Sequence, residues 1–135
     1  RSAGRTHAGI DFFVEHGTEV IAMTKGKVKA VYNFYAGTKA VEVKSTDNTI
    51  IRYTEIKPSV KVGEILEQSQ KVGDVIRNNT KKHSSMLHLE VYMGTSSGQL
   101  TQRKNKQYNY VPIKNYQRRS DLIDPTGAKD LRVIK

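Results

Sequence analysis

The feature that most constrains this chain is a hydrophobic period close to two, broken at short intervals by Gly, Asn, Asp and Pro. Apolar side chains on alternate residues give an extended strand one face for a core and one for something else, whereas a helix needs them three and four apart. "EVIAMTKGKVKAVYNF" therefore reads as two strands with a turn near Lys25 and Gly26, and "KAVEVKST" with "NTIIRYTEI" as a hairpin around Asp47 and Asn48. "MLHLEVYM" alternates cleanly: Leu87, Leu89, Val91 and Met93 fall on a core face, Met86, His88, Glu90 and Tyr92 on the other. "KPSVKVGEILEQSQKVGDVI" reads as a loop crossing from one strand to the next. Gly98 to Arg119 is polar, basic and dotted with tyrosine; too long for a tight turn, it reads as an active-site flap or a mobile insertion.

At 135 residues the chain fits one domain, residues 1–135, with room for a core. Because Arg1 is not an initiating Met, the expectation is that this domain is the C-terminal part of a longer protein. Lys and Arg number 23 against 13 Asp and Glu, so a net charge of +10 draws the molecule toward polyanions such as nucleic acid, anionic lipid or bacterial wall polymers. The run "QRKNKQYNYVPIKNYQRR" interleaves Tyr108, Tyr110 and Tyr116 with cations, a composition that suits base stacking, but no nucleic-acid motif accompanies it and no specific nucleic-acid partner is expected. There is no cysteine, which excludes a disulfide framework and leaves His and carboxylates to build any metal site. No run approaches the roughly 18 apolar residues of a membrane span, so no transmembrane segment is expected in this chain.

The histidines are His7, His16, His83 and His88. In "RTHAGIDFF", His7 precedes Asp11 by four positions, and Gly9 with the β-favouring Ile10, Phe12 and Phe13 opposes a helix, so the pair would converge from an extended or looped backbone. His7, Asp11 and His88 together supply two imidazoles and a carboxylate, a set that suits zinc with one position left for water. The bland alternative is that a His beside Gly is a turn residue. His16, just before a turn, reads as a surface residue, and His83 as a loop residue near the site.

Context narrows this choice. "R-x-H-x-G-x-D", then "G-T-x-V-x-A" (Gly17 to Ala22), "G-x-V" (Gly26 to Val28), "H-L-E" and a late "D-P" (Asp124, Pro125) resemble, in order and spacing, the LytM and lysostaphin-type zinc endopeptidases of bacterial peptidoglycan. The resemblance implies a mainly β, single-domain antiparallel sheet or sandwich of the duplicated-hybrid-motif type with long loops. It also implies zinc as cofactor, with His7, Asp11 and His88 as ligands, and cleavage of peptide cross-links or stem peptides. Two positions depart from the pattern. The family's H-x-H is M-L-H here, so Met86 holds a slot usually filled by an imidazole, and a thioether cannot shuttle a proton. The family's "Y-x-H-L" is "YTEI", which puts Glu55 where a second histidine is expected. A carboxylate there is a competent general base; a solvated partner of Arg52 and Lys57 is the plainer reading. Glu90 reads either as a group orienting a ligand from behind or as a rim salt bridge, and Tyr53 or Tyr92 as a stabiliser of an oxyanion.

The ending "QRRSDLIDPT" looks like a branch of these peptidases in phage-derived or secretion-associated wall proteins. Peptidoglycan is then the expected partner, with a cell-envelope secretion machine or phage tail assembly beside it. The expected location is the bacterial envelope (periplasm), or secreted or phage-associated. The rival expectation is a catalytically inactive LytM-like module that binds wall or a partner protein.

Overall fold

The computed structural model describes residues 9–34, 37–77, 85–103, 116–123 and 132–135. Eleven strands follow in chain order: β1 (Ile10–Phe13), β2 (Glu19–Ile21), β3 (Gly26–Asn33), β4 (Lys39–Ser45), β5 (Ile50–Pro58), β6 (Ile65–Leu66), β7 (Lys71–Val75), β8 (Met86–Tyr92), β9 (Thr101–Arg103), β10 (Tyr116–Arg118) and β11 (Leu122–Ile123). Among the described residues there is no helix, as the period-two pattern and short punctuation require. Nine strands form one open antiparallel sheet whose main path is β1-β8-β5-β4-β3-β6, while β9 and β10 pair as a separate ribbon.

The β4–β5 hairpin shows how local chemistry sets the register. Asp47 accepts the Thr49 amide at 3.1 Å and the Thr49 hydroxyl at 2.7 Å, and Asn48 takes the left-handed backbone at φ 75° that Asn tolerates better than most residues. From this turn β5 runs through the middle of the sheet, and Ile50 to Ile56 are all buried. Its partners change along its length. Ile50 to Thr54 pair with β8 from Tyr92 to His88, whereas Ile56 to Pro58 pair with β7 from Val75 to Gly73. The sheet therefore forks at Glu55, which is also the extra residue where the β4–β5 register shifts from Ala40↔Thr54 to Lys39↔Ile56.

On one face Val28, Val41, Val43, Ile51, Tyr53, Leu87, Leu89 and Val91 pack in a single cluster with Val20, Val72 and Val75, which the β2–β7 pair contributes. On the other, Ile50, Tyr92 and Leu100 form a smaller cluster. Two expectations need correction. The segment read as a crossing loop after Lys57 contains β6 and β7, because a register shift against β2 lets "KVGDV" bring both Val72 and Val75 into the same core cluster. Met93 is 46% exposed and not a core residue, since β8 ends at Tyr92 and the chain turns at Gly94 with φ 84°. The flanks of the tyrosine-rich stretch form the β9–β10 ribbon, while its middle, with Tyr108 and Tyr110, lies outside the described residues, as do Asp124 and Pro125.

Candidate active site

Antiparallel pairing assembles the site from chain segments far apart in sequence. Asp11 on β1 stands directly opposite His88 on β8, and His88 stands opposite Thr54 on β5. His88 Nδ1 lies 2.6 Å from Asp11 Oδ1, and its Nε2 lies 2.8 Å from Glu90 Oε2. The imidazole is thus held edge-on between two carboxylates, one on the neighbouring strand and one two residues along its own. His7, the third residue of the expected ligand set, lies outside the described residues, as does His83. Among the described residues no group of three or more His, Cys, Asp or Glu side chains is arranged to hold a metal ion.

The backbone allows the imidazole to sit there because residue 9 is glycine. A Cβ on Gly9 would lie 2.4 Å from the Leu89 carbonyl oxygen, 3.0 Å from Glu90 Cγ and 3.1 Å from His88 Cε1, at a φ of +115°. The Gly of "H-x-G-x-D" is required by this close approach, as well as opposing a helix.

Behind His88 lies a buried charged network, in which Glu90 orients the imidazole from behind, the first of the two alternatives that its sequence offers. Glu90 is fully buried and receives Arg52 Nε at 2.9 Å and Nη2 at 2.5 Å, the Tyr92 hydroxyl at 2.7 Å and Arg118 Nε at 2.6 Å. Arg52, 1% exposed, also donates Nη1 to the Tyr32 hydroxyl at 3.1 Å and lies over the Phe34 ring at 5.4 Å. Tyr32 in turn donates to Glu42. Two corrections follow. Arg52 is a buried partner of Glu90, not a solvated companion of Glu55, because β5 is covered on both faces. Tyr53 and Tyr92 are not oxyanion donors: the Tyr53 hydroxyl accepts the Met23 amide at 2.9 Å in the core, and Tyr92 is committed to Glu90. The signal for Arg52 was available in the period of "IIRYTEI", which puts Arg52 and Thr54 on the His88 face, but a lone Arg in a strand is ordinarily solvated.

Electrostatics follow from burial and pairing. Burial alone would depress the His88 pKa, yet its hydrogen bonds to Asp11 and Glu90 and their negative charges outweigh it and raise it to about 9. For Glu90 burial works toward protonation, but His88, Arg52 and Arg118 overcome it and hold the carboxyl far below the usual range. Burial pushes the Tyr32 phenol up to about 12 in spite of Arg52, so it is a hydrogen-bond donor at every ordinary pH.

Glu55 is 5% exposed and has a left-handed backbone, φ 67°, at the fork between β8 and β7. A non-glycine residue in that region costs of order 1–3 kcal/mol and persists where the surroundings over-determine it, often beside a reaction centre. The bulge re-aims the side chain out of the strict alternation of β5. The solvated surface reading of Glu55 is thereby corrected. Met86 follows the alternation on the His88 face and pairs across the sheet edge with Phe13, which is 74% exposed. His16 is exposed, as expected, and its Nδ1 accepts the Arg77 amide at 2.9 Å.

The donor chemistry fits zinc in two respects. Asp11 and His88 offer oxygen and nitrogen on adjacent strands at one point, and Glu90 on the far ring nitrogen is the carboxylate that typically orients a metal-binding imidazole. His88 must give up a proton to serve, since only neutral imidazole ligates.

The chain is similar to known proteins in sequence and in fold. The model of peptidase family M23 matches residues 5–108. The catalytic domain of lysostaphin from Staphylococcus simulans is 25% identical, with a TM-score of 0.57, over 66% of this chain and 68% of that one. The catalytic domain of the prophage-encoded M23 protein EnpA from Enterococcus faecalis, crystallised as a single-site mutant, is 29% identical with a TM-score of 0.57, over 67% of this chain and 71% of that one. A zinc-containing peptidase from Vibrio cholerae is 29% identical with a TM-score of 0.56; the match covers 63% of this chain but only 26% of that longer one. The chain spans less than two thirds of several of these neighbours, 38% in the case of a longer form of lysostaphin. With the family model running over most of its length and the same open β-sheet beneath it, the chain belongs to peptidase family M23, as a divergent member.

Proposed function

We propose that this domain is a zinc-dependent endopeptidase that hydrolyses peptide cross-links or stem peptides of peptidoglycan. The observation that carries the reading is the 2.6 Å apposition of Asp11 and His88, with Glu90 fixed on the other side of the ring. Asp11, His88 and His7 would hold the ion, which when bound supplies Lewis acidity and lowers the pKa of water to about 7. Glu90 holds the His88 Nε2 proton and so presents Nδ1 to the ligand side. Arg52 and Arg118 keep Glu90 ionised and in place. Glu55 accepts the proton of the attacking water and returns it to the leaving amine, a task a carboxylate can perform where the family uses imidazole. The net charge of +10 favours residence on an anionic wall. We place the domain in the cell envelope, secreted or phage-associated, in the service of an envelope secretion machine or a phage tail. Among the described residues no helix is long and apolar enough to cross a membrane.

One observation favours a second reading, a wall-binding module without catalysis: Met86 stands on the His88 face where an imidazole is usual. Incubating purified sacculi with the protein, with and without chelator, and seeking new peptide ends by mass spectrometry separates the two. New ends that vanish with chelator are expected. Bound zinc with no new ends at any pH supports the non-catalytic module, and Met86→His should then partly restore cleavage.

A further inference from the structure

A cavity of about 640 Å³ opens on β3, β4 and β5, roofed by residues 98–101 and lined by Lys29, Tyr32, Glu42, Arg52 and Thr101. It lies on the same face of the sheet as His88: Arg52 is the cross-strand partner of Glu90, and Glu42 that of Arg52. Its lining is unusual for a space beside a core. Arg52 is 1% and Glu42 7% exposed, so two charged side chains of opposite sign are kept out of bulk water at its floor. Lys29, exposed on β3, adds a cation at its rim. The Thr101 hydroxyl is buried and has no hydrogen-bond partner among the described residues. A buried polar atom left without a partner points to a group that is supplied from outside.

The signs of these charges restrict what can enter. A simple anion would be brought against Glu42, and a simple cation against Lys29 and Arg52, each at a desolvation cost the pocket does not repay. A group carrying both charges on one carbon meets neither penalty. We propose that this cavity is a specificity subsite for a zwitterionic amino-acid head group, its ammonium facing Glu42 and its carboxylate facing Lys29 and the Thr101 hydroxyl. Arg52, already bound to Glu90 through Nε and Nη2, positions Tyr32 and through it Glu42. The inference rests on the wall-peptide reading above: such a head group ends the side chain of diaminopimelate in a stem peptide, whereas lysine ends in an ammonium alone. A free diamino acid in solution carries the same chemistry.

The test is a calorimetric titration of the whole chain with a stem tetrapeptide containing diaminopimelate, its lysine counterpart, and free diaminopimelate. The diaminopimelyl peptide is expected to bind at least about tenfold more tightly than the lysyl peptide, a difference of about 1.4 kcal/mol. The free compound competing with the peptide would identify the head group alone as sufficient; failure to compete would assign the site to the peptide-borne form. Lys29→Met, at an exposed position that leaves folding intact, should erase the preference by weakening only the diaminopimelyl peptide, and Glu42→Gln should weaken both peptides. Equal affinity for the two peptides, binding of neither, or an undiminished preference in Lys29→Met overturns the proposal. Cleavage of sacculi is read separately: hydrolysis with no preference removes the subsite and leaves the peptidase reading, while a preference without hydrolysis does the reverse.

Discussion

At the scale of single residues, the account turns on positions where the backbone leaves its ordinary conformation beside β8. Glu55 is the clearest, with its φ of 67° at a buried bulge. Glu55→Gln should abolish release of wall fragments while zinc content is unchanged, whereas Asp11→Ala should lose both. Glu55→Gly removes the backbone strain along with the carboxylate, so it should be inactive yet about 1 kcal/mol more stable to urea. Gly9→Ala presses a methyl group to 2.4 Å from the Leu89 carbonyl and should cost about 2 kcal/mol, with His88 displaced and zinc binding weakened. Motif context made Asp11 and His88 legible as partners, while the family resemblance supplied Glu55 as the proposed base. The sequence could not tell a buried Glu55 from a solvated one, because burial there depends on β8 giving way to β7, a pairing between segments far apart in the chain. Arg52 was misread for the same reason: a strand covered on both faces keeps an arginine inside when a buried carboxylate lies directly across from it.

At the scale of elements, the loop after β8 is held by one side chain. Asp121 Oδ2 accepts the amides of Gly94 at 2.9 Å, Thr95 at 3.1 Å and Ser96 at 3.3 Å, while Arg119 donates to both of its oxygens at 2.7 and 2.8 Å. Arg119 also reaches the Gly98 carbonyl at 3.0 Å, tying down the segment that roofs the cavity over β3 to β5. Removing one partner of a buried pair leaves the other charge exposed to a dry environment, so Asp121→Ala should destabilise the fold by about 3 kcal/mol, read as a lower urea midpoint. Burial raises the Asp121 pKa, but Arg119 and the three amides win and lower it. A depressed carboxylate contributes stability above its unfolded value of about 4 and loses it as pH falls through the lower folded value. The urea midpoint of the parent chain should therefore drop more steeply below pH 4 than that of Asp121→Ala. The strands themselves were largely readable, since "MLHLEVY" and the Asp47–Asn48 hairpin carry their own periodicity and turn chemistry. β6 and β7 were not, because two and five residues are too short to show a period against a loop rich in Gly and Glu.

At the scale of the whole molecule, an M23 fold organises charge as well as chain. Asp11 and Glu90 flank His88, and Arg52 and Arg118 in turn keep Glu90 ionised, so that the metal-free chain holds His88 as a cation, with its pKa raised to about 9. A raised pKa contributes stability that is fully present below the ordinary value of about 6.5 and is lost as pH rises through about 9. Chelator-treated protein should thus lose stability between pH 7 and 9, and His88→Gln should flatten that decline. Zinc competes with the same proton, so zinc affinity should rise over the same interval. The central claim is that Asp11 and His88, with His7, hold one metal ion. It is tested most directly by the zinc content, per folded chain, of the parent and of Asp11→Ala after equilibration with zinc at pH 8 and removal of the excess. The account predicts one tightly held ion in the parent and none in the variant; a parent that retains no zinc, or an Asp11→Ala chain that retains as much, contradicts it.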